Sequence, residues 1–508
     1  MNKTKPLVFL MILDQVRADI LYKLIQEKKM PYFEKYIFNR AAVVENCFTC
    51  FPTNTMPGHL GILTGTYSNQ HHISHMRFWN RSQLPFKFRD YSGLEIFKML
   101  EDEFNPDIKM LYEYFNYSEA FTTSNFAKGA SYTYLTKLRT IIFYLIQKIN
   151  YRPVLKRSLK TFLKRFKQNI AKDLAEILYV LWLPISDLIG HKSGPESDEF
   201  TQHLIEIDGI LFKILFEGYK DWPGLVNLEL MDSTYFIITA DHGSFTITNR
   251  SELITDLKKL PLNIQNKQIS LKNFDKYDLL VAYTDGFANL YVKNPVTRNW
   301  TDKIEYSQIQ NYPSSDGPLN IINSLLEIPT VSHIFVKDDT NQLSSYLVIS
   351  RKGTGQIKRK FEDQKPLISY QVQSGDDPLD YSQNTDMKAL LDGDFHPFKE
   401  WLPALTKTQY PVLLDQVPRI FDCDNSGDIL FMGKEGHSFS KKKEKGTHDT
   451  GTAICTRVPL IIAGPSIKNT IIPVARTVDI VPTILHLLKK PIDFTQFDGR
   501  VLSEIINP

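Results

Sequence analysis

Three stretches of the chain are apolar without interruption. LVFLMIL, residues 7–13, runs into Asp14 and Gln15; STYFIITADHG, residues 233–243, runs into Asp241 and His242; RVPLIIAGP, residues 457–465, has the same form. A strand with one wet face alternates apolar and polar side chains, whereas a strand covered on both faces reads as a continuous apolar run. All three are therefore expected as inner strands of a parallel sheet, with ligands meeting the chain beyond the C-terminal strand ends. Helical spacing lies between them. It occurs in PGHLGILTG and in SDEFTQHLIEIDGILFKILFEGY, residues 197–219, where Leu204, Ile207, Ile210, Leu211 and Leu215 recur on one side. The alternation predicts an α/β fold, layered, with a central mostly parallel sheet flanked by helices.

The 508 residues are expected to form a single catalytic α/β domain with inserted segments. Residues 81–180 read as a helical insertion or cap, and 260–420, rich in Asn, Gln, Tyr and Pro, as a smaller substrate-facing subdomain. Within the first of these, residues 135–172 hold eleven Lys or Arg and no Asp or Glu. Apolar residues recur there at helical spacing, predicting two amphipathic helices broken near Pro153. Two readings stand: a cap helix with a basic outer face, or contact with an anionic membrane surface or a phosphorylated substrate. No nucleic-acid-binding module surrounds it.

The net charge of +3 leaves partners open, and the oligomeric state is not determined by the sequence. Cys47 and Cys50 form a CxxC with no second pair behind it; free cysteines in a reducing compartment are the preferred reading over a redox pair or half a zinc site. The apolar run after Pro6 reads as a first strand and not a signal peptide, and no stretch of 18 apolar residues suggests a membrane span. A cytoplasmic location, with peripheral membrane contact through the basic stretch, is the resulting expectation.

The chemistry-bearing residues gather at strand tips and glycine turns. Asp14 ends the first apolar run. Asp241 and His242 end the second. Asp187 and His191 lie in SDLIGHKSGP, and His448 lies in EKGTHDTG. Carboxylate and imidazole together suit borderline divalent metals. Six such ligands are too many for one tetrahedral ion and suit two, the arrangement that clamps both oxygens of an in-line displacement at phosphorus. Each motif alone is weak, because a DHG at a strand end is more often a turn than a ligand; their joint occurrence carries the reading.

These motifs resemble, in order, those of the alkaline phosphatase superfamily, near the type I phosphodiesterase and nucleotide pyrophosphatase branch. LDQVRAD, FPTNTMPGHLGILTG, DLIGHKSGP, ADHG and GTHD match it from residue 14 to residue 448. In that family the nucleophile lies nine residues before the threonine of the Leu-Thr-Gly turn, which implies Thr55 and not Thr53. The resemblance implies one cation on Asp14, Thr55, Asp241 and His242 and another on Asp187, His191 and His448, with Zn2+ in first place and Mn2+ as the alternative. It implies a phosphodiesterase or nucleotide pyrophosphatase acting through a phospho-threonine on a phosphate-ester small molecule or a phospholipid headgroup. A phosphomonoesterase and a binding protein that lost catalysis are the alternatives.

Two departures from the family pattern stand out. Met76 replaces an asparagine that contacts a phosphoryl oxygen, leaving His75, Arg77 or Asn80 as substitutes. Asp449 replaces the last glycine of Gly-x-His-Gly and offers a carboxylate behind His448. His59, behind Thr55, is a candidate brace. Sulfatases share the DQxR opening but need a Cys or Ser at the nucleophile position, which excludes them here. Related phosphoglycerate mutases use serine and a different insertion.

Overall fold

The structure is a computed structural model describing residues 5–81, 87–135, 151–172, 174–265, 274–338, 343–362 and 365–507. Its centre is a sheet of eight strands, in the order Thr470–Arg476, Ala41–Phe48, Arg457–Ala463, Thr234–Thr239, Leu7–Leu13, Ile177–Leu183, Ser118–Thr123, Tyr132–Leu135. Every residue of Leu7–Leu13, Ile177–Leu183 and Thr234–Thr239 is buried, as their unbroken apolar runs require. These three strands are parallel neighbours, so they deliver Asp14, Asp187 and Asp241 to one edge.

Arg457–Ala463 departs from expectation. It is buried in the sheet but antiparallel to both neighbours. An apolar run reports burial on both faces and carries no sign of direction. The chain comes to this strand from the loop bearing His448, at the edge where the other strands end, and so runs back through the sheet.

The Thr55–Thr64 helix is buried from Met56 to Thr64. Asn54 caps it by accepting from Met56 N–H, and Gly65 closes it at φ 72°, a left-handed turn that favours glycine. The helix expected near residues 197–219 runs from Asp198 to Ile207 and continues through a π turn to Glu217.

The basic stretch contributes a helix, Tyr151–Ile170, with Pro153 in its first turn, where proline is tolerated. Residues 136–150, including the apolar IIFYLI, lie outside the described residues. Phe162 and Phe166 pack on Phe9 of the first strand at ring distances of 6.2 and 5.7 Å. Arg165 turns inward to the buried Glu119 carboxylate at 2.6 Å and lies 3.4 Å from the centre of the Tyr132 ring. Lys156, Arg157, Lys160, Lys164 and Lys167 face outward and are exposed. The apolar side of this helix is thus spent on the sheet, and cations are what it shows to solvent. Between residues 264 and 433, a second sheet holds nine strands among the described residues. The turn at 284–286, between its strands Leu279–Tyr283 and Phe287–Val292, closes against His448 and Asp449.

Candidate metal centre

Asp14, Asp187 and Asp241 arrive at one edge for the reason just given, and the ligand atoms around them fall into two groups. Asp14, Asp241 and His242 offer ligand atoms within 4.8 Å of one another, and so do Asp187, His242 and His448. His191 joins the second group: its Nε2 lies 3.2 Å from Asp187 Oδ1 and 3.2 Å from His448 Nε2. His242 stands between the groups, its Nε2 3.6 Å from Asp14 Oδ1 and 3.5 Å from Asp241 Oδ2. Thr55 Oγ1 is 3.5 Å from the same nitrogen.

The outer sides of these ligands are tied down. His191, His242 and His448 place Nδ1 at 2.9, 3.2 and 2.7 Å from the carbonyl oxygens of Gly446, Gly243 and Thr53. Donation of Nδ1–H to a carbonyl assigns the tautomer, so each ring presents its Nε2 lone pair to the centre. Asp14 Oδ2 accepts from Trp182 Nε1–H at 2.8 Å. Asp241 Oδ1 accepts from the backbone N–H groups of Gln15 and His242. The remaining oxygens, Asp14 Oδ1, Asp187 Oδ1 and Asp241 Oδ2, are buried and make no hydrogen bond of good geometry among the described residues; His191 Nε2 lies 3.2 Å from the second and His59 Nδ1 3.2 Å from the third.

That donor set suits cations. With both rings neutral, the Nε2 lone pairs of His191 and His448 face each other at 3.2 Å and repel, and buried carboxylate oxygens without a hydrogen bond are costly. Burial and the neighbouring Asp241 and Asp187 push the Asp14 carboxyl well above the usual carboxylate range. Burial would raise Asp241 too, but His242 and His59 hold it low. Burial lowers His242 to about 4, while Asp187 overcomes burial and lifts His191 to about 10. The residues present form clusters that could hold divalent metal ions.

The two threonines of the nucleophile segment separate cleanly. Thr53 is fully buried and gives its hydroxyl proton to Thr450 O at 2.9 Å. Thr55 stands at the first position of its helix, half-buried, with its hydroxyl toward His242. His59, one helical turn on, places Nδ1 3.0 Å from Thr55 O and 3.2 Å from Asp241 Oδ2, braced by the Phe126 ring stacked at 4.5 Å. Gly58 lets this helix approach: a Cβ there would sit 2.6 Å from Asp241 O.

The candidates for phosphate contact have other partners. The Arg77 guanidinium is taken up by Asp90, Tyr283 O and Ser92. Asn80 donates to Glu103 at 2.6 Å, and His75 Nε2 meets Thr284 Oγ1 at 3.1 Å. Asp449 lies 3.1 Å from His448 Nδ1. Trp182 and the Thr53 carbonyl were not among the sequence candidates; Trp182 reads in ILYVLWL as one more core residue, and a backbone carbonyl leaves no sequence signal.

Comparisons with known proteins give a family and a fold. Residues 8–334 match the family described as type I phosphodiesterase / nucleotide pyrophosphatase. Ectonucleotide pyrophosphatase/phosphodiesterase family member 7 of Mus musculus is 24% identical over 241 residues, covering 46% of this chain and 49% of that protein. The Rattus norvegicus counterpart is 26% identical over 228 residues, covering 42% and 45%. The chain thus spans about half the length of the curated relatives it matches. Murine ectonucleotide pyrophosphatase/phosphodiesterase 5, also solved as an inactive threonine-to-alanine variant in complex with AMP, shares the fold at a TM-score of 0.55 and 14% identity, covering 96% of this chain and 95% of its own. The human protein gives 0.58 and 14%, covering 99% and 100%.

These relatives correct one expectation. Their names carry the prefix "ecto", and the cytoplasmic placement does not stand. It rested on absences and on the thiols, yet Cys47, Cys50, Cys423 and Cys455 are all buried and unpaired. Burial pushes the Cys50 thiol up to about 12, so its thiolate is disfavoured, and the free thiol does not report the compartment. No helix among the described residues is long and apolar enough to cross a membrane. With 8–334 matched and the sheet edge arranged as above, the chain belongs to the type I phosphodiesterase / nucleotide pyrophosphatase family.

Proposed function

We propose that this chain is a metal-dependent phosphodiesterase or nucleotide pyrophosphatase working through a phospho-threonine at Thr55. The observation that carries the proposal is the convergence of three carboxylates and three imidazole Nε2 atoms beside one helix-terminal hydroxyl, with three carboxylate oxygens buried and making no hydrogen bond of good geometry among the described residues. Asp14, Thr55, Asp241 and His242 would hold one divalent cation and Asp187, His191 and His448 the other, Zn2+ before Mn2+ given the nitrogen and oxygen donors. Such cations, when bound, favour the ionised threonine and water nucleophiles and offset charge on the phosphoryl oxygens.

The chain's own residues do the rest. Thr55 Oγ1 bonds to phosphorus as the first alcohol or phosphate departs. Water then attacks the same phosphorus and the bond to Thr55 breaks. Among first-turn amides, Met56 N–H and Gly58 N–H are held by Asn54, and Pro57 has none. The Thr55 N–H is left to meet a phosphoryl oxygen. His59 keeps Thr55 and Asp241 in register, and Trp182 orients Asp14.

A diester is favoured over a monoester, because a monoester dianion calls for an extra cation and Arg77 is spent on Asp90, Tyr283 and Ser92. The AMP complex of the murine relative supports a nucleotide ester; a phospholipid headgroup ester belongs to the same chemical class. The test is turnover of metal-loaded protein on matched aryl diesters and monoesters, nucleotide diesters and phospholipids. Diesters should lead. A tenfold higher kcat/KM for the monoester of a matched pair would overturn the choice.

A further inference from the structure

Asp449 adopts φ 78°, a conformation for which glycine is the default and which the family motif fills with glycine. The left-handed turn has a consequence. It aims the backbone N–H of Asp449 at Thr53 O, 3.0 Å away, and folds its carboxylate back onto the preceding residue, with Oδ1 3.1 Å from His448 Nδ1. That nitrogen is also 2.7 Å from Thr53 O, so one N–H is shared between a carbonyl and a carboxylate.

We propose that Asp449 is a positioning residue for His448: its carboxylate fixes the ring with Nε2 toward Asp187 and His191 and tightens the cation site they form, which a glycine cannot do. The proposal rests on the two-metal reading above. Asp449 is buried, and a buried carboxylate is costly unless it is held. His448 holds it on one side, with Oδ1 3.1 Å from Nδ1. Thr284 Oγ1 meets His75 Nε2 at 3.1 Å. Thr284 belongs to the 284–286 turn of the second sheet, which packs against His448 and Asp449. Gly286 lets that turn close: a Cβ there would lie 2.2 Å from His448 O and 3.3 Å from Asp449 Cβ.

The arrangement is specific to one ligand. His242 gives Nδ1–H to Gly243 O, and His191 gives it to Gly446 O with Glu444 at 3.8 Å. Among the three candidate ligand histidines, only His448 has a carboxylate within hydrogen-bond distance of Nδ1. A carboxylate behind a ligating imidazole raises its basicity and locks its orientation.

The test titrates metal-free parent, Asp449→Gly, Asp449→Asn and His448→Ala proteins with Zn2+ in competition with a chelator, and records the absorption of the Co2+-substituted forms. The parent should bind two ions. Asp449→Gly should weaken one of them by about 10- to 100-fold, leaving the other unchanged. Asp449→Asn tolerates the left-handed turn and keeps an acceptor without the charge; it should lose less and shift the cobalt spectrum of that same site. His448→Ala should lose the same ion, which identifies the site. Parent-like affinity for both ions in Asp449→Gly overturns the proposal. So does an Asp449→Asn protein matching the parent in affinity and spectrum, an outcome readable even where the glycine variant fails to fold. A parent that binds fewer than two ions overturns the two-metal reading itself.

Discussion

Removing the hydroxyl of Thr53 and removing that of Thr55 should damage different properties. The Thr53 hydroxyl is fully buried and donates to Thr450 O at 2.9 Å. Thr53→Val keeps the shape, deletes the donor and leaves a buried carbonyl short of one partner, which costs about 1–3 kcal/mol. Unfolding entropy near 2.1 cal/mol/K per residue, taken over 508 residues, is roughly 1 kcal/mol/K, so the melting temperature should fall by ~1–3 K. Turnover should fall little, because the Thr53 carbonyl that holds His448 is untouched. Thr55 reverses the pattern. Its hydroxyl has a 3.5 Å contact with His242 and sits half-buried at the first position of a helix, where alanine is tolerated. Thr55→Ala should change stability by about 0.5 kcal/mol at most. On the proposed mechanism it removes the atom that bonds to phosphorus, and kcat should drop on the order of 10³-fold or more. Thermal melts and steady-state kinetics on one diester measure both. Equal loss of turnover in the two variants, or retention of parent kcat in Thr55→Ala, would refute the reasoning.

Three further outcomes are expected. Chelation should release close to two transition-metal ions per chain and lower the melting temperature, because it leaves oxygens of Asp14, Asp187 and Asp241 buried without a hydrogen bond of good geometry; elemental analysis showing none, with full activity, contradicts this. Burial holds the neutral His333 down to about 4, so in the folded state it resists a proton that the unfolded chain accepts below about 6.5; its contribution is present above that pH and is lost as pH falls toward 4. Acid unfolding of His333→Gln should therefore show about one fewer proton taken up across that window, and an unchanged slope would rule the linkage out. Arg165→Met should cost about 1.5–3 kcal/mol in a denaturant melt, because it takes the cation from the buried Glu119 carboxylate and leaves it only the neutral donors Tyr117, Tyr134 and Asn169, whereas the exposed Lys164→Met should stay within about 0.5 kcal/mol.

The parts legible in the sequence were those governed by local physics. LVFLMIL announced an inner strand because burial on both faces leaves no room for a polar residue, and a tip such as Asp14 or Asp241 marks where the chain leaves the core. The Thr55 helix was legible through its apolar length and its Gly65 stop. Long-range geometry was not. The direction of Arg457–Ala463 depends on where the preceding loop leaves the chain. The brace that His59 places on Asp241 spans 182 positions, from 59 to 241. The basic helix shows the limit most plainly. Its eleven-cation segment looked uniform along the chain, yet Arg165 turns inward to Glu119 while Lys164 beside it faces water, a division set by which strand lies underneath.

The central claim is a phosphoryl group carried by Thr55, and the most direct measurement is rapid acid quenching of the metal-loaded enzyme during turnover of a diester, followed by peptide mapping. The account predicts one phosphoryl group per chain at most, on the peptide containing FPTNTMPG and localised by fragmentation to Thr55, and none in Thr55→Ala. A phosphoryl group on Thr53 or any other residue, or steady turnover of the Thr55→Ala protein at the parent rate, would contradict it.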